Sequence, residues 1–230
     1  MNVAIVTVGD ELLVGATVDT NAAWLAEQLT ARGCTVDRIT TLPDRIEAIA
    51  RVVDEYHADY DAVIVTGGLG PTHDDVTMDA VAAAFGRELE TNDEAAAWLA
   101  ERGYSADDLA AETTHLPADC RPLANETGVA PGAVVESVYV LPGVPTEMKA
   151  MFESVADEFE GTPTHTVTVD VDEPESALLD RFTELQEAFD VSVGSYPGES
   201  VRVKITATSA AEAERAAEWV RERVTLVEPQ

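Results

Sequence analysis

The sequence predicts an α/β protein with a larger domain built on a mostly parallel sheet, followed by a small α+β domain. Three apolar runs in the first half have the length and content of strands, namely Val3–Val8, Cys34–Thr41 and Ala62–Thr66. Helical stripes separate these runs, and such alternation is typical of a parallel sheet with right-handed crossovers. After the breakers Gly161–Pro163 the order becomes β-α-β-β-α, which indicates an antiparallel unit. The predicted domains are therefore 1–163 and 164–230.

Helices of the first domain are predicted from apolar spacing and from residues that favour helix starts. Apolar residues recur at the spacing of one helical face in Ile46–Val53 and again in Met148–Phe159. Asn21 and Thr146 each offer an N-cap, and Pro145 suits a first helical position. Because the methionines of the later stripe lie at core spacing, we interpret them as core residues.

The rest of the chain is assigned from the same patterns. Ser105 with Asp108 resembles a capping box, and Cys120–Pro131 is predicted to be irregular. The remaining predicted helices and strands are Val76–Phe85, Asn92–Gly103, Ala133–Glu136, Val138–Leu141, Thr164–Val171, Leu178–Phe189, Val191–Ser195, Val201–Thr208 and Ala210–Val224. The last five of these form the β-α-β-β-α unit.

Charge is the most unusual feature of the composition. Asp and Glu number 44 against 14 Lys and Arg, which gives a formal net charge of −30. Such a surface repels phosphate backbones and anionic lipid, so it excludes a non-specific nucleic-acid binder and disfavours a membrane-surface protein. The acidic residues are dispersed, and the only lysines are Lys149 and Lys204. We interpret this as a halophilic surface that needs molar salt to screen its self-repulsion.

Cysteine usage and hydropathy set the expected location. Cys34 and Cys120 lack the spacing of a disulfide framework or a zinc site. The N-terminus has no basic region of a signal peptide, and no stretch of about 18 apolar residues occurs. The sequence therefore predicts a cytoplasmic protein that does not span a membrane.

The strongest motif is TGGLGPTHDD, residues 66–75, which follows a predicted strand and precedes a predicted helix. Glycines let the backbone approach a phosphate, successive N–H groups form an anion nest, and a helix N-terminus adds a favourable dipole. His73 is a further candidate contact to phosphate. The candidate binding residues of this loop are Thr66, Gly67, Gly68, Leu69, Gly70 and Thr72.

Two adjacent carboxylates, Asp74 and Asp75, end the same motif. Alone they would repel a phosphate, but a carboxylate that holds Mg²⁺ can share the ion with phosphate oxygens. Both are therefore candidate metal ligands, and the sequence leaves open which of the two is the ligand. The alternative is a tight strand-to-helix turn in which Asp is only a helix cap.

Two further loops follow predicted strand ends and carry candidate site residues. Gly9 and Glu11 follow the first strand, and Asn21 begins the next helix. Asn21 is a candidate ligand of ribose or phosphate, or simply an N-cap. The third loop contributes Pro142, Gly143, Pro145 and Glu147. Glu147 either joins the site or only favours the helix dipole. Because strand ends of a parallel sheet share one rim, we expect the three loops to line one crevice.

These motifs together identify a resemblance. GDELLVGATVDTNAAWLAEQL, TGGLGPTHDD, PGAVVESVYVLPGVPTEM and the β-α-β-β-α tail resemble the N-terminal part of the competence/damage-inducible protein A (CinA) family. That part is similar to the molybdopterin-binding fold of MogA, MoaB and the gephyrin G domain. The resemblance implies a three-layer α/β/α domain in a homo-oligomer, a dimer or trimer. Full-length CinA proteins also carry a C-terminal deamidase domain, which we expect this chain to lack.

The resemblance also implies a function. The N-terminal part of the CinA family is associated with hydrolysis of ADP-ribose and similar dinucleotides, dependent on a divalent metal such as Mg²⁺ and on K⁺. In the molybdopterin-adenylating relatives the residue that matches Asp75 is a metal and catalytic residue. We therefore expect a metal-dependent nucleotide pyrophosphatase in which Asp75, Asp74 and Glu11 are the catalytic residues.

The sequence also departs from the relatives that the motifs resemble. Leu69 stands where the adenylating relatives usually have Thr, and the Pro-Gly loop at 142–143 differs from theirs. Asp172–Ser176 replaces a Gly-containing turn of the CinA tail. The alternatives are a molybdopterin-binding or adenylyltransferase protein of molybdenum cofactor biosynthesis and a non-catalytic nucleotide-binding module. Each predicts a nucleotide or pterin phosphate as the ligand.

Overall fold

The structure is a computed structural model that describes residues 1–104 and 113–227. Its contacts divide the chain into two compact units, Met1–Gly161 and Thr162–Gln230. The α/β class with a mostly parallel sheet and a smaller second unit is confirmed. The predicted capping box of Ser105 and Asp108 lies outside the described residues. No helix in the described part of the chain is long and apolar enough to cross a membrane.

Residues 1–104 and 113–161 contain eight strands, and six of them form one sheet. The strands are β1 (Asn2–Val8), β2 (Thr35–Leu42), β3 (Ala62–Thr66), β4 (Leu89–Thr91), β5 (His115–Pro117), β6 (Arg121–Leu123), β7 (Gly132–Val135) and β8 (Val138–Leu141). The sheet order is β2-β1-β3-β8-β7-β6, and the first four of these strands pair in parallel. β7 is antiparallel to both of its neighbours, while β4 and β5 form a separate ladder. The carboxyl ends of β1, β3 and β8 therefore lie side by side.

Helices cover both faces of this sheet. The helices described in this unit are α1 (Asp10–Leu13), α2 (Thr20–Ala31), α3 (Ile46–Asp59), α4 (Thr77–Ala84), α5 (Asp93–Glu101) and α6 (Pro145–Val155), and those that pack on the sheet faces are α2, α3, α4 and α6. Ile5 of β1 packs with the buried residues of α2 and α6, whereas Val6 packs with those of α3 and α4. This alternation gives three layers with two cores, since successive side chains of a strand point to opposite faces. Met148 and Met151 are fully buried, which confirms their prediction as core residues.

Two predicted helix caps are wrong. Asp19 is the N-cap of α2, where its side chain accepts a hydrogen bond from the backbone N–H of Ala22, and Asn21 is already inside the helix. Thr146 is not a cap either, because α6 begins at Pro145 with Val144 as N-cap. A residue before proline favours extended backbone, and proline needs no N–H partner at the first helical position.

The segment Cys120–Pro131, predicted to be irregular, contains a strand. Arg121–Leu123 pairs with Gly132–Val135 as the edge of the main sheet. Pro122 is tolerated in this strand because β6 is at the sheet edge, where the missing N–H of proline is not needed. The ladder of β4 and β5 and the short helix α1 were likewise not predicted. All three elements are only three or four residues long, too short for a periodic pattern.

The second unit is the predicted β-α-β-β-α arrangement. Its elements are β9 (His165–Val171), α7 (Leu179–Ala188), β10 (Ser192–Pro197), β11 (Val201–Ala207) and α8 (Ala210–Arg221). β11 lies between the other two strands and is antiparallel to both. Val203 and Ile205 of β11 pack with Leu185 of α7 and Ala217 of α8 in one core. The unit therefore has a sheet with one face covered by helices.

Candidate functional site

The ends of β1, β3 and β8 meet at a glycine turn. The backbone N–H of Gly67 donates to the carbonyl of Leu141 over 3.2 Å, which ties the end of β3 to the end of β8. A Cβ on Gly67 would collide with the carbonyl oxygen of Val8 at the end of β1. A Cβ on Gly143 would lie 3.2 Å from the Cα of Gly67. The structure therefore brings the three predicted loops together at one rim of the sheet.

The local backbone explains why glycine occupies both positions of the turn. Gly67 and Gly68 have φ angles of 104° and 65°, in the left-handed region that other residues rarely adopt. A Cβ on Gly68 would also collide with the side-chain oxygen of Thr77. The turn is therefore tight because three neighbouring elements leave it no space, and only glycine satisfies both the conformation and the packing.

Asn21 and Thr66 link the loops through side chains. Asn21 Nδ2 donates to the carbonyl of Gly143 over 2.7 Å and lies 3.4 Å from Thr66 Oγ1. Thr66 is buried, and its hydroxyl donates to the carbonyl of Pro142 over 2.7 Å. The three interactions join α2, β3 and the loop after β8. Asn21 therefore lies at the rim, although as a linking residue rather than as the helix cap.

Asp75 folds back onto its own loop. The backbone N–H of Thr72 donates to Asp75 Oδ2 over 3.0 Å, and the Thr72 hydroxyl donates to the same oxygen. The N–H of Asp75 in turn donates to the carbonyl of Thr72 over 3.0 Å. Gly70 allows this closure, because a Cβ there would lie 2.6 Å from Asp75 Oδ2. Asp75 thus orders the loop, while His73 and Asp74 are exposed beside it.

Leu69 holds the same loop from the other side. Its side chain is partly buried and packs against the core formed with α3 and α4, as does Val76. An apolar residue at this position therefore fastens the glycine turn to the fold by burial. This packing accounts for an apolar residue at position 69, which the sequence predicted only as a candidate binding residue.

Several carboxylates lie together near the end of β1. Asp44 Oδ2 accepts a hydrogen bond from the backbone N–H of Asp10 over 2.8 Å. Burial raises the pKa of Asp44, and the carboxylates of Asp10, Glu11 and Asp74 raise it further. Glu11 folds over Gly9, where a Cβ would lie 2.5 Å from Glu11 Oε1. Sequence reasoning missed Asp44, whose available signal was its position just after the end of β2.

The described side chains at this rim do not form a metal site by themselves. In residues 1–104 and 113–227, no three His, Cys, Asp or Glu side chains are arranged to hold one. Asp75 Oδ2 is engaged by two donors of Thr72, and the Glu11 carboxylate lies against Gly9. The residues present therefore do not fit a metal site formed by protein side chains alone.

Glu147 is engaged with a different loop. Its Oε2 accepts a hydrogen bond from Asn125 Nδ2 over 2.7 Å, and a Cβ on Gly128 would collide with the Glu147 carboxylate. Asn125 is only 1% exposed and also donates to the carbonyl of Ala130 over 2.9 Å. Pro145 simply begins α6 and is exposed. Sequence reasoning missed Asn125, because a single asparagine in an irregular segment carries no pattern.

Comparisons with known proteins agree with this architecture. Probable molybdopterin-binding domains match residues 4–160, and the middle domain of FAD synthase matches residues 163–227. A protein of Archaeoglobus fulgidus is 38% identical over 198 residues, which cover 86% of each chain. A protein of Thermococcus kodakarensis is 38% identical over 240 residues, covering 95% of this chain and 96% of the relative.

The chain is also similar to a solved structure. The crystal structure of CinA, a protein of unknown function from Thermoplasma acidophilum, has a TM-score of 0.65 and 35% sequence identity. The match covers 69% of this chain and 97% of that protein. Since the first match spans more than half of the sequence, the chain belongs to the family of probable molybdopterin-binding domains.

Proposed function

We propose that the strand-end rim of the first unit binds a nucleotide-like phosphate and hydrolyses a phosphoanhydride, with ADP-ribose or a related dinucleotide as substrate. The observation that carries this proposal is the glycine turn. In the described residues the backbone N–H groups of Gly68, Leu69 and Gly70 have no acceptor, and the loop leads directly into α4. Free N–H groups next to a helix N-terminus are a suitable environment for phosphate oxygens.

The proposed chemistry uses groups that this chain provides. Water attacks one phosphorus of the pyrophosphate, the bond to the bridging oxygen breaks, and AMP and ribose 5-phosphate are the products. The free N–H groups of the turn would stabilise negative charge that develops on the phosphoryl oxygens. Glu11 would orient the water from the end of β1, and Asp75 would keep the loop closed through Thr72. Asn21 and the Gly143 loop would fix the nucleotide.

Mg²⁺ and K⁺ are part of the proposal only as components of the reaction mixture. Mg²⁺ usually keeps several waters and binds one or two protein carboxylates together with substrate phosphates. Asp74 or Asp75 stays the proposed ligand of an ion that arrives with the substrate. We further propose a homo-oligomer, a dimer or trimer, whose partners are small molecules and not nucleic acid.

A second candidate function is the binding of a pterin phosphate. It is favoured by the family match over residues 4–160, since members of that family are described as probable molybdopterin-binding domains. The same rim would take the pterin phosphate on the same N–H groups. This candidate predicts tight pterin binding without release of AMP from ADP-ribose.

The test is turnover of ADP-ribose in concentrated KCl, with and without Mg²⁺, followed by chromatography for AMP. Asp75→Asn is the test variant, because the amide weakens the closure by Thr72 and removes a carboxylate. Asp93→Asn is the matched control, since Asp93 lies in the first turn of α5. We expect AMP from the native protein and from the control, and a loss of about 100-fold in the variant. Absence of AMP from folded native protein, or an unchanged rate in Asp75→Asn, would contradict hydrolysis at this site.

A further inference from the structure

Two buried side-chain atoms in the described part of the chain lack any hydrogen-bond partner, and both lie beside the glycine turn. They are Asn21 Oδ1 and Thr77 Oγ1. Buried polar groups in folded proteins nearly always have a partner, so an exception needs a specific reason. Here both exceptions flank Gly67 and Gly68, the residues on which the proposed phosphate site depends.

Thr77 packs directly against Gly68 of the glycine turn. It is the first residue of α4, is 0% exposed, and its backbone N–H donates to the carbonyl of Gly68 over 3.2 Å. Its hydroxyl lies against Gly68 Cα, in the space that a Cβ would fill, with the Val8 side chain nearby. A valine has the same shape and would leave no unpaired hydroxyl. A threonine at this position therefore lowers stability unless its hydroxyl is used in another state.

Asn21 lies on the opposite side of the turn, and its amide orientation is fixed by its partners. The carbonyl of Gly143 can only accept, so the atom 2.7 Å away must be the Asn21 nitrogen. The Thr66 hydroxyl already donates to Pro142, so towards Asn21 it too can only accept. The carboxamide oxygen is therefore an acceptor without a donor, and exchanging the two amide atoms would not satisfy it.

We propose that Thr77 is a positioning residue whose hydroxyl gains a hydrogen-bond partner when a phosphate binds to the Gly68–Gly70 backbone. The inference rests on the proposed function, because it takes the glycine turn as the phosphate site. Glycine adopts more backbone angles than other residues, so the packed turn can still adjust at positions 67 and 68 when a ligand binds. A hydrogen bond made only in the bound state shifts the equilibrium towards that state and raises affinity.

The experiment compares AMP affinity and thermal unfolding in concentrated KCl. Thr77→Val removes the hydroxyl and keeps the shape, and Thr77→Ser keeps the hydroxyl. Thr7→Val is the matched control, because Thr7 is 1% exposed but its hydroxyl lies 3.0 Å from Thr41 Oγ1. We expect Thr77→Val to unfold a few degrees higher and bind AMP about tenfold more weakly, with affinity restored in Thr77→Ser. Thr7→Val should unfold at a lower temperature and bind AMP as the native protein does.

The outcomes separate this inference from the proposed hydrolysis. Unchanged AMP affinity in Thr77→Val would overturn the role of Thr77, whatever the unfolding temperature. Absence of AMP binding to the native protein would overturn the role of Thr77, while turnover of ADP-ribose decides the hydrolase separately. AMP binding that depends on the Thr77 hydroxyl, without turnover of ADP-ribose, would support the positioning role and reject the hydrolase.

Discussion

Two loops of the first unit use their polar groups in opposite ways. In the loop after β6, the buried Asn125 has partners on both sides of its amide: it donates to Glu147 and Ala130 and accepts from the N–H of Gly128 over 2.8 Å. Beside the glycine turn after β3, by contrast, Thr77 Oγ1 and Asn21 Oδ1 have no partner among the described residues.

The difference teaches how to separate structural loops from candidate functional loops in this fold. A satisfied buried network holds one conformation, and removing any member leaves the others unpaired. A turn flanked by buried polar atoms without hydrogen-bond partners lowers the stability of the fold. Such a turn is expected where function outweighs stability. Arg102 further stabilises the loop after β6. It donates hydrogen bonds to the carbonyls of Asn125 and Gly128, and its guanidinium lies over the ring of Trp98.

The largest effect is expected at the tightest point of the glycine turn. Gly67→Ala would place a Cβ against the carbonyl of Val8 and force alanine into a left-handed conformation. We expect the free energy of unfolding to fall by about 3–5 kcal/mol, measured by urea unfolding in concentrated KCl. Gly86→Ala is the control, since Gly86 has a φ of 62° but open space around it, and should lose only about 1 kcal/mol. Equal losses in the two variants would refute the account of the packing.

A smaller loss of stability is expected for a change in the loop after β6, where Asn125 has hydrogen-bond partners on both sides of its amide. Asn125→Ala would leave the Glu147 carboxylate, the carbonyl of Ala130 and the N–H of Gly128 without this partner. We expect the free energy of unfolding to fall by about 2–3 kcal/mol. The direction is opposite to that expected for Thr77→Val, which sharpens the contrast between the loops. If urea unfolding shows that Thr77→Val also loses stability, as Asn125→Ala does, the contrast between the loops is refuted.

The smallest effect is expected for the buried hydroxyl of Tyr139, whose contribution to stability depends on pH. The Tyr139 hydroxyl donates to Glu158 Oε2 over 2.9 Å, and Arg121 donates to the same carboxylate. Burial, with the bond to Glu158, raises the pKa of Tyr139 to about 12. Because this pKa is raised on folding, the contribution to stability is complete below about pH 10 and is lost between about pH 10 and 12.

Tyr139→Phe tests this directly. Below pH 10 we expect the variant to be about 1–2 kcal/mol less stable than the native protein in urea unfolding. The gap should narrow as the pH rises from 10 to 12, since only the native protein has this tyrosine to ionise. A stability difference that stays constant from pH 10 to 12 would mean that ionisation of Tyr139 does not change the free energy of unfolding.

Much of the fold could be predicted from local signals, because β1 and β3 are continuous apolar runs and α3 has a helical apolar stripe. The meeting of three loops at one rim also followed from the parallel order of the strands. The hydrogen-bond partners of the side chains could not be predicted in this way. Asn21 and Gly143 are 122 residues apart, and nothing in either neighbourhood encodes their hydrogen bond. The cap of α2 was misassigned because Asp19 and Asn21 are both good caps, and only the three-dimensional path of the chain selects Asp19.

The central claim is that the glycine turn is where the ligand phosphate binds. Backbone amide resonances followed during an AMP titration in concentrated KCl test it most directly, because each N–H reports its own environment. The account predicts the largest shifts at Gly68, Leu69 and Gly70, and small shifts at Gly128 in the satisfied loop. AMP binding that leaves the three turn amides unshifted, while residues elsewhere respond, would contradict it.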